Sequence, residues 1–119
     1  MKFTLPNIFL RTEGFVLFFI SSIMFFKQDG NWFLYLILLF LPDIGMFGYF
    51  IDTKIGAIVY NLFHTTSIPL ILLILFFLTG NFSLLIFGFI WLAHIGMDRF
   101  MGFGLKYTDK FKHTHIQEI

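Results

Sequence analysis

The chain has 119 residues, 58% of them hydrophobic and 22% aromatic, with 13% charged and a formal net charge of +1. A soluble domain carries roughly 25% charged residues and could not bury so many Phe and Leu side chains at this size, so a bilayer is the solvent that fits. The near-neutral charge speaks against a nucleic-acid surface. The absence of cysteine excludes disulfides, thiolate metal sites and a Cys nucleophile, which leaves only nitrogen and oxygen ligands for any metal.

Four apolar runs follow in chain order, each near the roughly 20 residues that a helix needs to cross the hydrocarbon core. The first covers about Ile8 to Phe26 and ends in the turn composition Lys27-Gln-Asp-Gly-Asn31. The stretch from Met1 to Asn7 holds one basic residue, Lys2, and no small-x-small cleavage site follows the first run. The first segment is therefore expected to remain as an anchor. The second span covers Trp32 to about Phe50, the third Ile55 to about Leu78, and the fourth Phe82 to about Met101, where Gly102 and Gly104 intervene. Connections this short make neighbouring helices antiparallel. The expected fold is an all-α, integral membrane, up-down four-helix bundle, one domain over residues 1–119, with a short tail from Gly102. Pro42 and Pro69 interrupt the second and third spans, either as simple kinks or, at Pro42, as a distortion that helps aim Asp43. Lys2, Lys54, Lys106, Lys110 and Lys112, with Arg11 and Arg99, fall on one side and only Lys27 on the other. The positive-inside bias then puts both termini in the cytoplasm.

Polar residues interrupt every span: Glu13, Asp43, Asn61 with His64, and His94 with Asp98. Ionisable groups in hydrocarbon are costly and by default mark function. At about 1.5 Å per residue, all of them fall within about 5 to 14 Å of the same interface. The opposite halves of the spans are almost purely Phe, Leu and Ile. Asn61 and His64 share a helix face at i, i+3, and so do His94 and Asp98 at i, i+4. Inward carboxylates with closely spaced His pairs are how helix bundles hold metals. Two His and up to three carboxylates suit Zn, Fe or Mn better than Cu(I). His64, His94, Asp98 and Asp43 are the first-choice ligands, with Asp43 a ligand or the general base, Glu13 a proton shuttle and Asn61 a ligand-orienting or oxyanion-stabilising group. The tail adds His113 and His115, a His-x-His pair close enough to Met101 to fold back over the mouth of the site and contribute ligands.

The stretches Leu41 to Tyr49 (LPDIGMFGY), Tyr60 to Thr65 (YNLFHT) and Trp91 to Arg99 (WLAHIGMDR) carry a resemblance. So do Leu10 to Gly14 (LRTEG), Gly104 to Tyr107 (GLKY) and the Thr114-His115 end. With these motifs the chain resembles DUF4260, a bacterial family of short four-span membrane proteins known only as a domain of unknown function. The resemblance covers nearly the whole chain; it implies a four-span protein of a bacterial inner membrane and supplies no activity. The residues themselves point to a metal-dependent hydrolase, or a related metalloenzyme, acting on a lipid or amphiphile near the cytoplasmic leaflet. Membrane lipids are then its surroundings and a lipid-like molecule its substrate, in a monomer or homo-oligomer. A b-type haem held by His64 and His94, and a proton or cation relay or transporter component, are the alternatives.

Overall fold

The computed structural model describes residues 3–28 and 30–119; Met1, Lys2 and Asp29, which enter the orientation and turn readings above, lie outside the described residues. Helix α1 runs Leu5–Lys27 and α2 Trp32–Leu39, and a 3-10 helix over Leu41–Phe50 continues the second span. Then come α3 (Thr53–His64), α4 (Ser67–Thr79), α5 (Phe82–Met101) and a short α6 (His115–Glu118) in the tail. Four segments are long and apolar enough to cross a bilayer: Leu5–Lys27, Trp32–Phe50, Thr53–Thr79 and Phe82–Met101. Large apolar side chains cover the outside, with Phe50 84% and Phe77 81% exposed. That surface requires lipid around it, and the chain is an integral membrane protein with an all-α bundle fold.

Helix starts follow from local chemistry. Asn31, Asp52 and Asn81 each sit in extended backbone and accept from main-chain amides two or three residues on, which caps α2, α3 and α5. Gly80 and Gly102 end α4 and α5 in the left-handed region, at φ 72° and 93°.

The second and third spans both break inside the apolar stretch. At Pro69 the pyrrolidine ring excludes a helical carbonyl four residues earlier, so α3 stops at His64, Thr65 is extended, and α4 starts afresh at Ser67. In the second span Phe40 departs from helix before Leu41-Pro42, and ten residues follow in 3-10 geometry. That winding has three residues per turn, so the buried Pro42, Gly45 and Gly48 form one straight stripe. The stripe lies on α3, where a Cβ at Gly48 would meet Gly56 Cα at 3.1 Å and one at Gly45 would meet Phe63 Cδ2 at 2.9 Å. The next stripe is Asp43, Met46 and Tyr49. The third, Ile44, Phe47 and Phe50, is exposed to lipid.

Helix α5 is the hub, packed by α1 along one side and by α4 and α2 on others. Contact with α1 is backbone to backbone. A Cβ built on Gly96 would lie 2.5 Å from Phe18 N and 2.6 Å from Gly14 O, and one on Gly14 would lie 2.7 Å from Phe100 N. Small residues of this kind let membrane helices approach closely. At the far end Phe25, Tyr35, Leu39, Ile90 and Ala93 form the apolar core. There the Tyr35 and Ser22 hydroxyls hydrogen-bond at 2.8 Å. At the near end the two termini meet: Asn7 Nδ2 donates to Ile116 O at 2.7 Å, and the Thr4 hydroxyl bonds Ile119 O.

Substituting Gly96→Ala forces α1 and α5 apart and should cost about 1–3 kcal/mol, the usual range for overpacking. A drop in the thermal midpoint in detergent, much larger than that of Ser83→Ala at the exposed start of the same helix, is the expected readout.

Candidate metal centre

Four side chains from three elements converge where the helices break. His64 is the last residue of α3, and Asp43 follows Pro42 in the 3-10 helix. His94 and Asp98 are one turn apart on α5, on its most buried face. His64 Nε2 lies 3.3 Å from Asp43 Oδ1 and 3.4 Å from Asp98 Oδ2. His94 Nε2 lies 3.2 Å from each of the same two oxygens, and the two Nε2 atoms are 3.2 Å apart. All four atoms lie within 4.8 Å of one another.

Proton placement makes this cluster unlike an ordinary hydrogen-bond network. His64 Nδ1 lies 2.8 Å from Tyr60 O, a carbonyl that can only accept, so Nδ1 carries the proton. When His64 is neutral, its Nε2 lone pair faces two carboxylate oxygens and a second imidazole nitrogen. One proton on Nε2 could serve one of these neighbours, whereas a cation at the common centre serves all of them. A tetrahedron with metal–ligand bonds of about 2.0–2.1 Å has edges of about 3.3–3.4 Å, against about 3.0 Å for adjacent ligands of an octahedral site with similar bonds. Five of the six separations, at 3.2–3.4 Å, are close to the tetrahedral figure, and the sixth, between the two carboxylate oxygens, is within 4.8 Å.

The surroundings hold the imidazoles in place. The Tyr60 ring stacks on His64 with centroids 3.7 Å apart and planes within 6°, and Phe40 meets His94 edge-on. A carbonyl fixing the remote His nitrogen is the usual outer-shell arrangement around a metal-ligating imidazole. His94 Nδ1, by contrast, is buried with no hydrogen-bond partner among the described residues. Two carbonyls freed by the α3–α4 break bond to α5 side chains. Trp91 Nε1 donates to Phe63 O at 2.6 Å and Arg99 to His64 O at 3.3 Å.

The other residues singled out from the sequence lie elsewhere. Glu13 points outwards from α1 among Phe9, Thr12, Val16 and Ile20; it shares depth with the cluster but not direction. Asn61 is turned to the tail, where its amide donates to Lys106 O at 2.9 Å and accepts from Lys106 N at 2.7 Å. That double bond occupies the groups that would orient a ligand or stabilise an oxyanion. His113 lies between Asp109, 2.7 Å from Nδ1, and Glu118, 2.8 Å from Nε2. This contact holds the exposed Asp109 carboxyl below its usual range. His115 Nδ1 accepts from Leu105 N at 2.9 Å. Both tail histidines are thus used in the tail's own fold and do not join the cluster.

That tail nevertheless covers the site. Gly102 turns the chain, Lys106 pairs with Thr114 in an antiparallel bridge, and the returning segment closes a cavity of about 460 Å³. Asp43, Asp98, Tyr60, Lys106 and Thr114 are among its lining residues. Sequence reasoning passed over Tyr60, whose signal was its i−4 position relative to His64. It also passed over Lys106 and Thr114, which only the fold of the tail brings near. The Nε2 atoms lie 3.2 Å apart with carboxylate oxygens around them, a donor set that suits a single small ion and lends the bis-His haem alternative no support.

The fold and the cluster define a class: a four-span membrane protein with a largely buried two-His, two-Asp constellation set beneath a folded-back tail. The sequence profile described as domain of unknown function DUF4260 matches residues 7–119, and the chain belongs to that family. No curated protein and no solved structure matched it.

Burial, with the Arg99 charge adding to it, pushes the His115 imidazole below its ordinary 6.5. The folded tail therefore binds fewer protons than the unfolded one. Its docking contribution is complete above about pH 6.5 and declines as the pH falls below that value. Amide exchange at Leu105 and His115 should accelerate beyond the intrinsic chemistry between about pH 7 and pH 5. His115→Asn, which keeps an acceptor without the titration, should flatten that dependence.

Proposed function

We propose that this protein is a membrane-embedded metalloenzyme, a metal-dependent hydrolase acting on a lipid or amphiphile. The leaflet that carries its two termini is, in this reading, the cytoplasmic leaflet of a bacterial inner membrane. The observation that carries the proposal is the convergence of four donor atoms within 4.8 Å of one another, with the His64 Nδ1 edge turned to the Tyr60 carbonyl and Nε2 to the cluster.

A catalytic site keeps one position open for water, and the four side chains divide accordingly. His64, His94 and Asp98 are the more enclosed, with side-chain exposures of 4%, 1% and 12%. Asp43 is 35% exposed and stands at the cavity wall on the 3-10 helix. The first three are the permanent ligands; Asp43 is the general base, or a fourth ligand that yields to water. A bound Zn lowers the pKa of its water to near 7. Asp43 would be placed to accept that water's proton and to hand it to the leaving group of an ester, amide or phosphoryl substrate as the new bond to oxygen replaces the scissile one. The two-His, two-Asp donor set suits Zn, Fe or Mn. A transmembrane relay receives no such support, because the four clustered ionisable groups lie towards one end of the bundle while Phe25 and Tyr35 belong to the apolar core towards the other.

Elemental analysis of protein purified in mild detergent tests this reading. Wild type should carry about one Zn per chain. His64→Ala and His94→Ala should lose it and fail to hydrolyse a lipid ester panel, while Glu13→Gln and His113→Ala retain it. Asp43→Asn should keep most of the metal yet lose activity by 100-fold or more, in the range of about 10²–10⁴ expected for a general base. Metal-free wild type after a gentle preparation would overturn the proposal.

A further inference from the structure

The cavity beneath the tail has two chemically different walls. One carries the Asp43 and Asp98 carboxylates, and the other carries Lys106 and Thr114 from the returning chain, with Lys112 beside them. Lys106 is 8% exposed, which is rare for lysine. Its ammonium donates to Phe111 O at 2.6 Å and sits over the Phe111 and Tyr60 rings at 3.7 Å and 4.5 Å. A carbonyl and two ring faces hold the group in position, with the Asp98 charge acting on it from a distance, and leave two of its three N–H groups without a strong acceptor. Thr114 is 1% exposed, lines the same cavity, and its hydroxyl has no hydrogen-bond partner among the described residues. Buried polar groups without partners are exceptions that call for a missing one. Here the Thr114 hydroxyl is such a group, and Lys106 beside it keeps N–H groups beyond the one given to Phe111 O.

Charge and lining say what the missing partner is. A divalent cation at the cluster offsets the two carboxylates, so that the lysines leave the cavity positive. Apart from Gln117 the rest of the lining is adaptable and apolar, including Phe40, Met46, Met101 and Phe103, all of which are also exposed on the surface. An anion alone would use only the polar wall, and an apolar chain alone would leave that wall unsatisfied.

We propose that this cavity binds the anionic headgroup, a phosphate ester or carboxylate, of a membrane amphiphile, with Lys106 and Thr114 as the pair that recognises it. Lys106 supplies a charge-assisted hydrogen bond to an anionic oxygen and Thr114 a second donor, while the hydrocarbon part leaves across Met46 and Phe40 into the bilayer. The inference deepens the hydrolase reading by naming a substrate class, and it rests on that reading for the charge of the opposite wall.

Native mass spectrometry in an uncharged detergent tests it, with short-chain phosphatidic acid, the matching diacylglycerol and inorganic phosphate as probes. Phosphatidic acid should bind at least tenfold more tightly than diacylglycerol, and inorganic phosphate should not bind in the same range. Lys106→Met and Thr114→Val should each weaken phosphatidic acid about tenfold. Lys106→Arg, which keeps the charge, and Lys110→Met, outside the cavity, should not. The arginine variant and the near-isosteric Thr114→Val separate loss of recognition from loss of the tail fold. Equal binding of diacylglycerol, or indifference to both substitutions, overturns the inference, and inorganic phosphate binding as tightly as the lipid overturns the lipid assignment. Metal content is measured on the same samples. A metal-loaded protein blind to headgroup charge sinks this inference alone, whereas a metal-free protein that still selects phosphatidic acid through Lys106 sinks the metal reading alone.

Discussion

Hydrocarbon offers no hydrogen bonds, so a membrane helix can be broken only where other protein groups take up the backbone atoms that the break releases. This chain breaks two of its four spans at the level of the cluster, and α5 answers for the break in the third. Trp91 and Arg99 on that helix bond the Phe63 and His64 carbonyls, and the same helix supplies His94 and Asp98. The break that Pro69 imposes ends α3 at His64, freeing that residue from helical continuation, while the capture of its carbonyl by Arg99 fixes its position relative to α5. Fold and site are therefore one construction. The hydrogen bonds that make a broken helix tolerable in lipid also set the distance between the two imidazoles.

The 3-10 helix solves the matching problem on the other side. An α-helix rotates a three-residue repeat by about 60° per step, so it would wind Pro42, Gly45 and Gly48 around its surface. Three residues per turn keep them in register against α3. With the small stripe seated on α3, the adjacent stripe must face the cavity, and it carries Asp43. A long 3-10 segment is unfavourable in isolation. It persists here because glycine permits the close approach and because an α-helical winding would rotate Asp43 away from the two histidines.

The spans were legible in the sequence almost to the residue, because about 20 apolar residues bounded by Asn, Asp and Gly caps leave few alternatives. Within the site, His94 with Asp98 was legible from its i, i+4 spacing, and Asp43 from the lack of any compensating group on its own helix. Depth was a weaker guide. Glu13 and Asn61 share the level of the cluster, yet depth along an axis says nothing of direction around it, and one faces lipid while the other faces the tail. The tail histidines misled for a different reason. His113 has Asp109 and Glu118 within a few residues, and short-range partners outcompete a site that must be reached by folding back. Lys106 and Thr114 had no local signal, since an irregular segment has no period from which to read a face.

The tail's attachment indicates how the cavity is reached. Asn61 grips the Lys106 backbone through both ends of its amide. Asn7, fully buried, holds Ile116, and the Lys106 ammonium is tied to Phe111 O. These bonds anchor the cover at α1, at α3 and within itself, and the aqueous face is the one it closes. The apolar rim at Phe40, Met46 and Met101, from the second and fourth spans, has no comparable cover and is exposed where lipid would be. A molecule already dissolved in the bilayer meets that rim without crossing a polar barrier, whereas a water-soluble one must displace the tail. For the proposed amphiphile, lateral entry from the membrane is thus the route that the distribution of hydrogen bonds leaves open.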